Sequence, residues 1–200
     1  RYPEDRIFAE EDGLRSPISE GSVWVIDPID GTNNFVTQKE DFAVMVAYFE
    51  DGIGQFGLIY DVMRDHLFYG GGEFPVYRNE VELTPFVDQP LENFLIASNV
   101  GMLEKNDWGM ADLGMDSLGI RVYGSAGISF SKILSGGILA YFSYIWPWDY
   151  AAAAIMGERL GYTVLNLNGD KPNYQTVEPI MMVPKVKLTE IQTYLKKGRS

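Results

Sequence analysis

Hydrophobic and polar positions divide the chain into two regimes. In the first, short runs of β-branched and aromatic residues are separated by turn residues. Val23-Trp24-Val25-Ile26 predicts a buried strand over residues 22–27, at a sheet edge that breaks into a turn just beyond it. The run from Phe42 predicts a second strand over 42–50, and Ile53 to Tyr60 a third. Glu50-Asp51-Gly52 between them reads as a hairpin turn, because Asp-Gly supplies the positive φ such turns require. A fourth strand follows over 66–69, and Gly70-Gly71-Gly72 closes an antiparallel meander. The glycine triplet lacks the Lys-Ser/Thr of a nucleotide-binding loop and reads as a plain hairpin.

Beyond Pro85 and Pro90 the pattern changes to alternating strands and helices. Strands are expected over 94–98, 120–123, 138–142, 162–165 and 180–183. Helical spacing covers 126–134 and stops at Gly136-Gly137. A second helix is expected over 149–160, with Ala151 to Ala154 as strong formers and Gly161 as its cap, and a third over 188–197. This is the signature of an α/β layer. The expected organisation is an antiparallel-sheet half over residues 1–87 and an α/β half over 88–200. The aromatic run Tyr141, Phe142, Tyr144, Trp146 and Trp148 reads first as core or subunit interface and second as pocket lining. His66 reads as structural, and Lys196, Lys197 and Arg199 as a solvated helix end.

Composition narrows the function. The 200 residues carry a net charge of −12, which repels nucleic-acid phosphates and leaves no expectation of a nucleic-acid partner. There is no cysteine, so thiolate metal sites are excluded, and the single histidine, His66, excludes a site built on two imidazoles. The longest apolar stretch, 136–157, is interrupted by Pro147 and Asp149, which argues against a membrane span. No signal peptide is visible, so a cytoplasmic setting is expected.

Oxygen donors gather in three places: Glu10-Glu11, Asp27 with Asp30, and Asp149 between Trp148 and Tyr150. Each alone has an ordinary explanation, respectively solvated surface, a turn, and a helix cap. Asp27 and Asp30 are nevertheless followed by Gly31-Thr32, whose backbone N–H groups and hydroxyl can meet an anion. Carboxylates that hold hard divalent cations beside a phosphate cradle suit phosphate-ester hydrolysis.

Asp27-Pro28-Ile29-Asp30-Gly31-Thr32 and Trp148-Asp149-Tyr150-Ala151-Ala152 resemble the two signatures of the inositol monophosphatase family, and Ala9-Glu10-Glu11 resembles the Gly-Glu-Glu ahead of them. Order and spacing agree, and the likeness extends over nearly the whole chain, including Gly124-Ser125-Ala126. The resemblance implies an α/β (α+β) fold: a layered αβαβ(α) sandwich of the sugar-phosphatase type, here without the family's N-terminal helices. It implies Mg²⁺-dependent, lithium-sensitive hydrolysis of a small phosphate monoester by a homodimer. By that likeness Glu10, Asp27 and the Ile29 carbonyl would bind one Mg²⁺, and Asp27, Asp30 and Asp149 a second. Glu10 would also help hold a third, loosely bound ion. The N–H groups of Gly31 and Thr32 would face the phosphate, and the Thr32 hydroxyl the attacking water. Gly124, Ser125 and Ala126, with Asp30 and Asp149, would meet the alcohol part of the substrate.

Family members carry, ahead of the Gly-Glu-Glu, an acid that partners the threonine and a lysine near the site. The sequence holds neither, so the resemblance implies weak or absent catalysis by this chain alone and activity in a longer parent. Phe142 stands where the animal inositol enzymes have a substrate-binding glutamate, so strict preference for inositol phosphate is not implied. NADP, fructose-1,6-bisphosphate and 3′-phosphoadenosine 5′-phosphate are alternative substrates. A non-catalytic regulatory binding protein is a further alternative, because some bacterial relatives act in transcription complexes. A haloacid-dehalogenase-type phosphatase needs aspartates two residues apart, whereas Asp27 and Asp30 are three apart. A calcium-binding loop needs alternating acids and a closing Glu, which are missing here.

Overall fold

A computed structural model describes residues 2–13 and 15–197. Among these, a seven-stranded sheet is formed by β1 (Arg6–Ala9), β2 (Ser22–Asp30), β3 (Ala43–Glu50), β4 (Ile53–Asp61), β5 (His66–Gly71), β6 (Phe74–Arg78) and β7 (Val81–Glu82), in sequence order. All neighbours run antiparallel except β1, which lies parallel to β2 at the edge. The alternation of β3 is what builds the layer: Ala43, Met45, Ala47 and Phe49 point into the core, while Val44, Val46 and Tyr48 take the other face.

The second sheet contains β8 (Leu95–Ser98), β9 (Gly119–Arg121), β10 (Ala140–Ile145), β11 (Tyr162–Asn166) and β12 (Glu178–Pro184), in the order β11-β12-β10-β8-β9. β8 pairs in parallel with both β9 and β10, whereas β12 is antiparallel to both of its neighbours. Helices α4 (Ala126–Leu134) and α5 (Pro147–Arg159) fill the space between the sheets. Their apolar residues share one core with Val25, Met45 and Ile59 of the first sheet and with Ile180 and Met182 of the second. On the far side of the second sheet, α2 (Val100–Glu104), α3 (Met110–Asp116) and α6 (Leu188–Lys197) close a second core around Phe142, Met181 and Ile191. The layers therefore run sheet, helices, sheet, helices, as the resemblance implies.

α5 lies almost on the backbone of the first sheet. Ala152 lies against the sheet with Gly57 opposite, where an added Cβ would come within 2.4 Å of the Ala152 carbonyl oxygen. This close approach fixes where the N-terminus of α5, and hence Asp149, meets β2.

Several elements differ from the sequence reading. β2 is not an edge strand, because β1 covers it, and it continues through Asp30 rather than stopping at Asp27. The strand expected over 138–142 runs 140–145, since a continuously apolar run carries no period to fix its ends. β1, β6, α1 (Thr32–Thr37), α2 and α3 were not anticipated. α6 ends at Lys197, and Arg199 of the expected basic helix end lies outside the described residues.

Candidate metal centre

The acid pair on β2 owes its geometry to a bulge. Asp27 pairs with Met45 and Asp30 with Ala43, so three steps on β2 oppose two on β3. In a regular strand residues three apart face opposite sides. The extra residue, inserted at Pro28-Ile29, turns both carboxylates to the same side. Asp27 Oδ1 accepts the Ile29 N–H at 3.0 Å, which fixes the bulge locally. Gly31 then leaves the strand with φ +83° and caps α1, whose first residue is Thr32. The Thr32 hydroxyl donates to the Ile29 carbonyl at 3.1 Å.

Asp30 is buried against the N-terminus of α4. Ser125 Oγ donates to its Oδ2, Gly127 N–H donates to the same oxygen at 2.8 Å, and Ala126 N–H donates to Oδ1 at 3.1 Å. Ser125 also caps the helix by accepting the Ile128 N–H at 3.1 Å. The carboxylate thus meets the positive end of the α4 dipole while keeping lone pairs for a cation.

Asp149 occupies the first turn of α5, with Pro147 opening the helix, and its Oδ2 accepts the Trp146 N–H at 2.7 Å. Oxygens of Asp27, Asp30 and Asp149 lie within 4.8 Å of one another. Glu10 follows β1, where parallel pairing sets Ala9 beside Ile26 and so delivers Glu10 next to Asp27. Glu10 is exposed at the rim, and its charge still acts on all three acids. Trp146 and Trp148 stack 4.8 Å apart at 9° beside the Asp149 turn, with the Arg15 guanidinium 4.5 Å from the Trp148 ring.

Burial pushes the Asp27 carboxyl far above its ordinary value, and the charges of Asp30, Asp149 and Glu10 push it further. Burial also raises Asp149, with Asp30 adding to the effect. Asp30 is raised by burial, partly offset by its bonds from Ser125, Gly127 and Ala126. Burial and mutual repulsion push these carboxyls toward their protonated forms unless a cation takes the place of the protons, so the donor set fits a hard divalent ion. Above the ordinary carboxylate range the folded metal-free chain binds more protons than the unfolded one, so its stability falls as pH rises. The melting temperature without metal is expected to drop from about pH 5 to about pH 8, and the gain on adding Mg²⁺ to grow over the same span. Differential scanning calorimetry with and without chelator measures both.

The structure brings Asp27, Asp30 and Asp149 together, with Glu10, Ile29, Gly31 and Thr32 around them. Of the expected substrate loop, Gly124 is exposed, whereas Ser125 and Ala126 are buried and bonded to Asp30. Phe142 is wholly buried in the second core and does not face the acids. Tyr141, Phe142 and Trp148 are core, as the sequence suggested first. Sequence reasoning missed Asn34, Ser129 and Ser143, and singled out Tyr141 only within the aromatic run, as core or pocket lining. The Tyr141 hydroxyl sits with Ser129 and Ser143 close enough to feel Asp30 and Asp149, and burial pushes it upward.

Two sheets with helices between them, meeting at a cluster of three carboxylates on a strand bulge and at helix N-termini, define a layered α/β protein with a grouped set of oxygen donors. The chain belongs to the inositol monophosphatase family, whose model matches residues 1–198. It is 37% identical to the inositol-1-monophosphatase of Bacillus subtilis, over 84% of this chain and 66% of that protein. The crystal structure of inositol monophosphatase II from Staphylococcus aureus bound to 2′-AMP matches at TM-score 0.91 and 32% identity, over 98% of this chain and 78% of that one. An IMPase/NADP phosphatase complexed with Mg²⁺ and phosphate matches at TM-score 0.88 and 25% identity, over 96% and 74%. The chain thus spans just under two thirds of the Bacillus protein's length.

Proposed function

We propose that this chain carries the catalytic centre of a Mg²⁺-dependent phosphatase that hydrolyses a small phosphate monoester. The observation that carries the reading is the trio of carboxylates, Asp27 and Asp30 buried and Asp149 half-buried, within 4.8 Å of one another beside the exposed Thr32 turn. Asp27, Asp30 and Asp149, with Glu10 and the Ile29 carbonyl, would hold two or three Mg²⁺ ions. Bound there, the ions would supply a Lewis acid that activates water and neutralises phosphate charge. The residues do the rest. Gly31 and Thr32 present N–H groups at the start of α1 to phosphate oxygens, and the Thr32 hydroxyl orients the attacking water. Three donors at the α4 N-terminus favour the ionised form of Asp30 and partly offset the cost of its burial. Gly124, Ser125 and Ala126, with Asp30 and Asp149, stand on the alcohol side. A homodimer, inhibition by Li⁺ and a cytoplasmic setting belong to the same reading.

Inositol phosphate is the first candidate ester, on the strength of the family. Nucleotide phosphates rank beside it, since solved relatives bind 2′-AMP and NADP. Phosphate release is to be measured on the longer parent protein from inositol, sugar and nucleotide esters, with Mg²⁺ and with chelator. The expected result is release that requires Mg²⁺ and disappears in Asp149→Asn. Release indifferent to Mg²⁺, or unchanged in that variant, contradicts the assignment.

A further inference from the structure

α1, which bears Thr32, has one buried side chain among its residues. Asn34 is 8% exposed, in a helix whose other residues face solvent. Its Nδ2 donates to the Asp41 carbonyl at 2.9 Å and to the Tyr123 carbonyl at 2.7 Å. Its Oδ1 accepts from Gln38 Nε2 at 3.4 Å. Its main-chain carbonyl accepts the N–H groups of Gln38 and Lys39, both at 2.8 Å. One residue therefore ties together the end of α1, the segment entering β3 and the link that leads into α4.

Both far ends of this clamp are themselves fixed. The Asp41 carboxylate pairs with Arg64 at 2.8 Å, and Arg64 pairs with the buried Asp61 at 3.0 Å. Beyond Tyr123, Gly124 has φ +70°, and a Cβ there would stand 3.0 Å from Asn34 Oδ1. Asn34 and Asp30 thus bridge the same two stretches of chain on either side of Gly31. Asp30 does so through Ser125, Ala126 and Gly127, and Asn34 through Tyr123.

We infer that Asn34 is a positioning residue: by pinning α1 to Asp41 and Tyr123 it holds the Thr32 turn in register with Asp30 and the Ser125 loop. α1 has six residues, too few to persist without tertiary support. Without the two side-chain bonds its first turn loses the orientation that aims the Thr32 hydroxyl and N–H. The catalytic part of this inference rests on the phosphatase reading, whereas the clamp itself does not.

The test compares the wild-type chain with Asn34→Ala and Asn34→Asp by amide hydrogen exchange resolved by segment. The aspartate keeps the size of the side chain and sets an acceptor against two carbonyl oxygens, so the two variants fail for different reasons if the clamp is real. Exchange over residues 31–38 and 122–126 is expected to quicken about tenfold in both variants, with β3 and β4 unchanged. Unchanged exchange over 122–126, or a uniform change across the chain, overturns the clamp. The second arm measures kcat and KM for phosphate release in Asn34→Ala, alone and combined with Thr32→Ala. A loss of roughly tenfold in kcat with KM little changed is expected in the wild-type background, and a clearly smaller loss once the Thr32 hydroxyl is gone, with only the N–H groups left to misplace. Equal losses in both backgrounds overturn the positioning role. These rates are measured on the longer parent protein; a wild-type parent that releases no phosphate overturns the phosphatase reading and leaves the exchange result to decide the clamp.

Discussion

Asp27→Asn is expected to raise the melting temperature of the metal-free chain while removing both its response to Mg²⁺ and its phosphatase activity. Asp27 is 1% exposed and faces Asp30, Asp149 and Glu10, so its ionised form is unfavourable on every side without a cation. An amide keeps what the position needs structurally. Its oxygen can still accept the Ile29 N–H at 3.0 Å, and its NH₂ can serve the hydrogen bond shared with Asp149. Relief of the buried charge is expected to stabilise the metal-free protein by about 1–3 kcal/mol, roughly 3–8 °C for a chain of this size. The same change removes a ligand that the reading assigns to two ions. Thermal unfolding with chelator and with Mg²⁺ checks both signs at once. A variant that melts below wild type in chelator, or that keeps the full Mg²⁺ shift, contradicts the expectation.

The second large effect is expected at Gly31, a residue that does no chemistry through a side chain. Its φ of +83° lies where only glycine is unstrained, and an added Cβ would come within 2.9 Å of Ser125 Cβ and 3.1 Å of the Asp41 carbonyl oxygen. Backbone strain and collision act together. Gly31→Ala is expected to cost about 2–4 kcal/mol and to abolish phosphate release by separating α1 from the Ser125 loop. Gly31→Asn separates the two causes, because asparagine tolerates positive φ but still collides. Urea unfolding is expected to show Gly31→Asn nearly as destabilised as Gly31→Ala. Recovery of most of the stability by asparagine would mean that φ alone dictates the glycine.

Local chemistry was legible and long-range partnership was not. α4 and the β3–β4 hairpin fall where the sequence places them, because Ala126 to Leu134 has one period and Asp51-Gly52 one turn geometry. α1 was hidden, since Thr32-Asn33-Asn34 is poor helix material and is helical here only because Gly31 and Asn34 are anchored elsewhere. The sequence reads Asp27 and Asp30 as standing in a turn just beyond a strand. Their common aim comes instead from a bulge in a strand that continues through both, and whether such a bulge forms depends on the register with β3. Nothing local joins Asp30 to Ser125, which are 95 residues apart. The resemblance located the acids, but it did not show that Ser125 and Ala126 donate to Asp30, nor that Phe142 points into the second core.

The central claim is that Asp27, Asp30 and Asp149 share divalent cations. The direct measurement is anomalous diffraction from crystals of the chain soaked in Mn²⁺, collected for wild type and for Asp149→Asn. The account predicts a strong peak between the three carboxylates in wild type and its loss or marked weakening in the variant. Wild-type crystals with no peak among these residues, or a peak equally strong in Asp149→Asn, would contradict it.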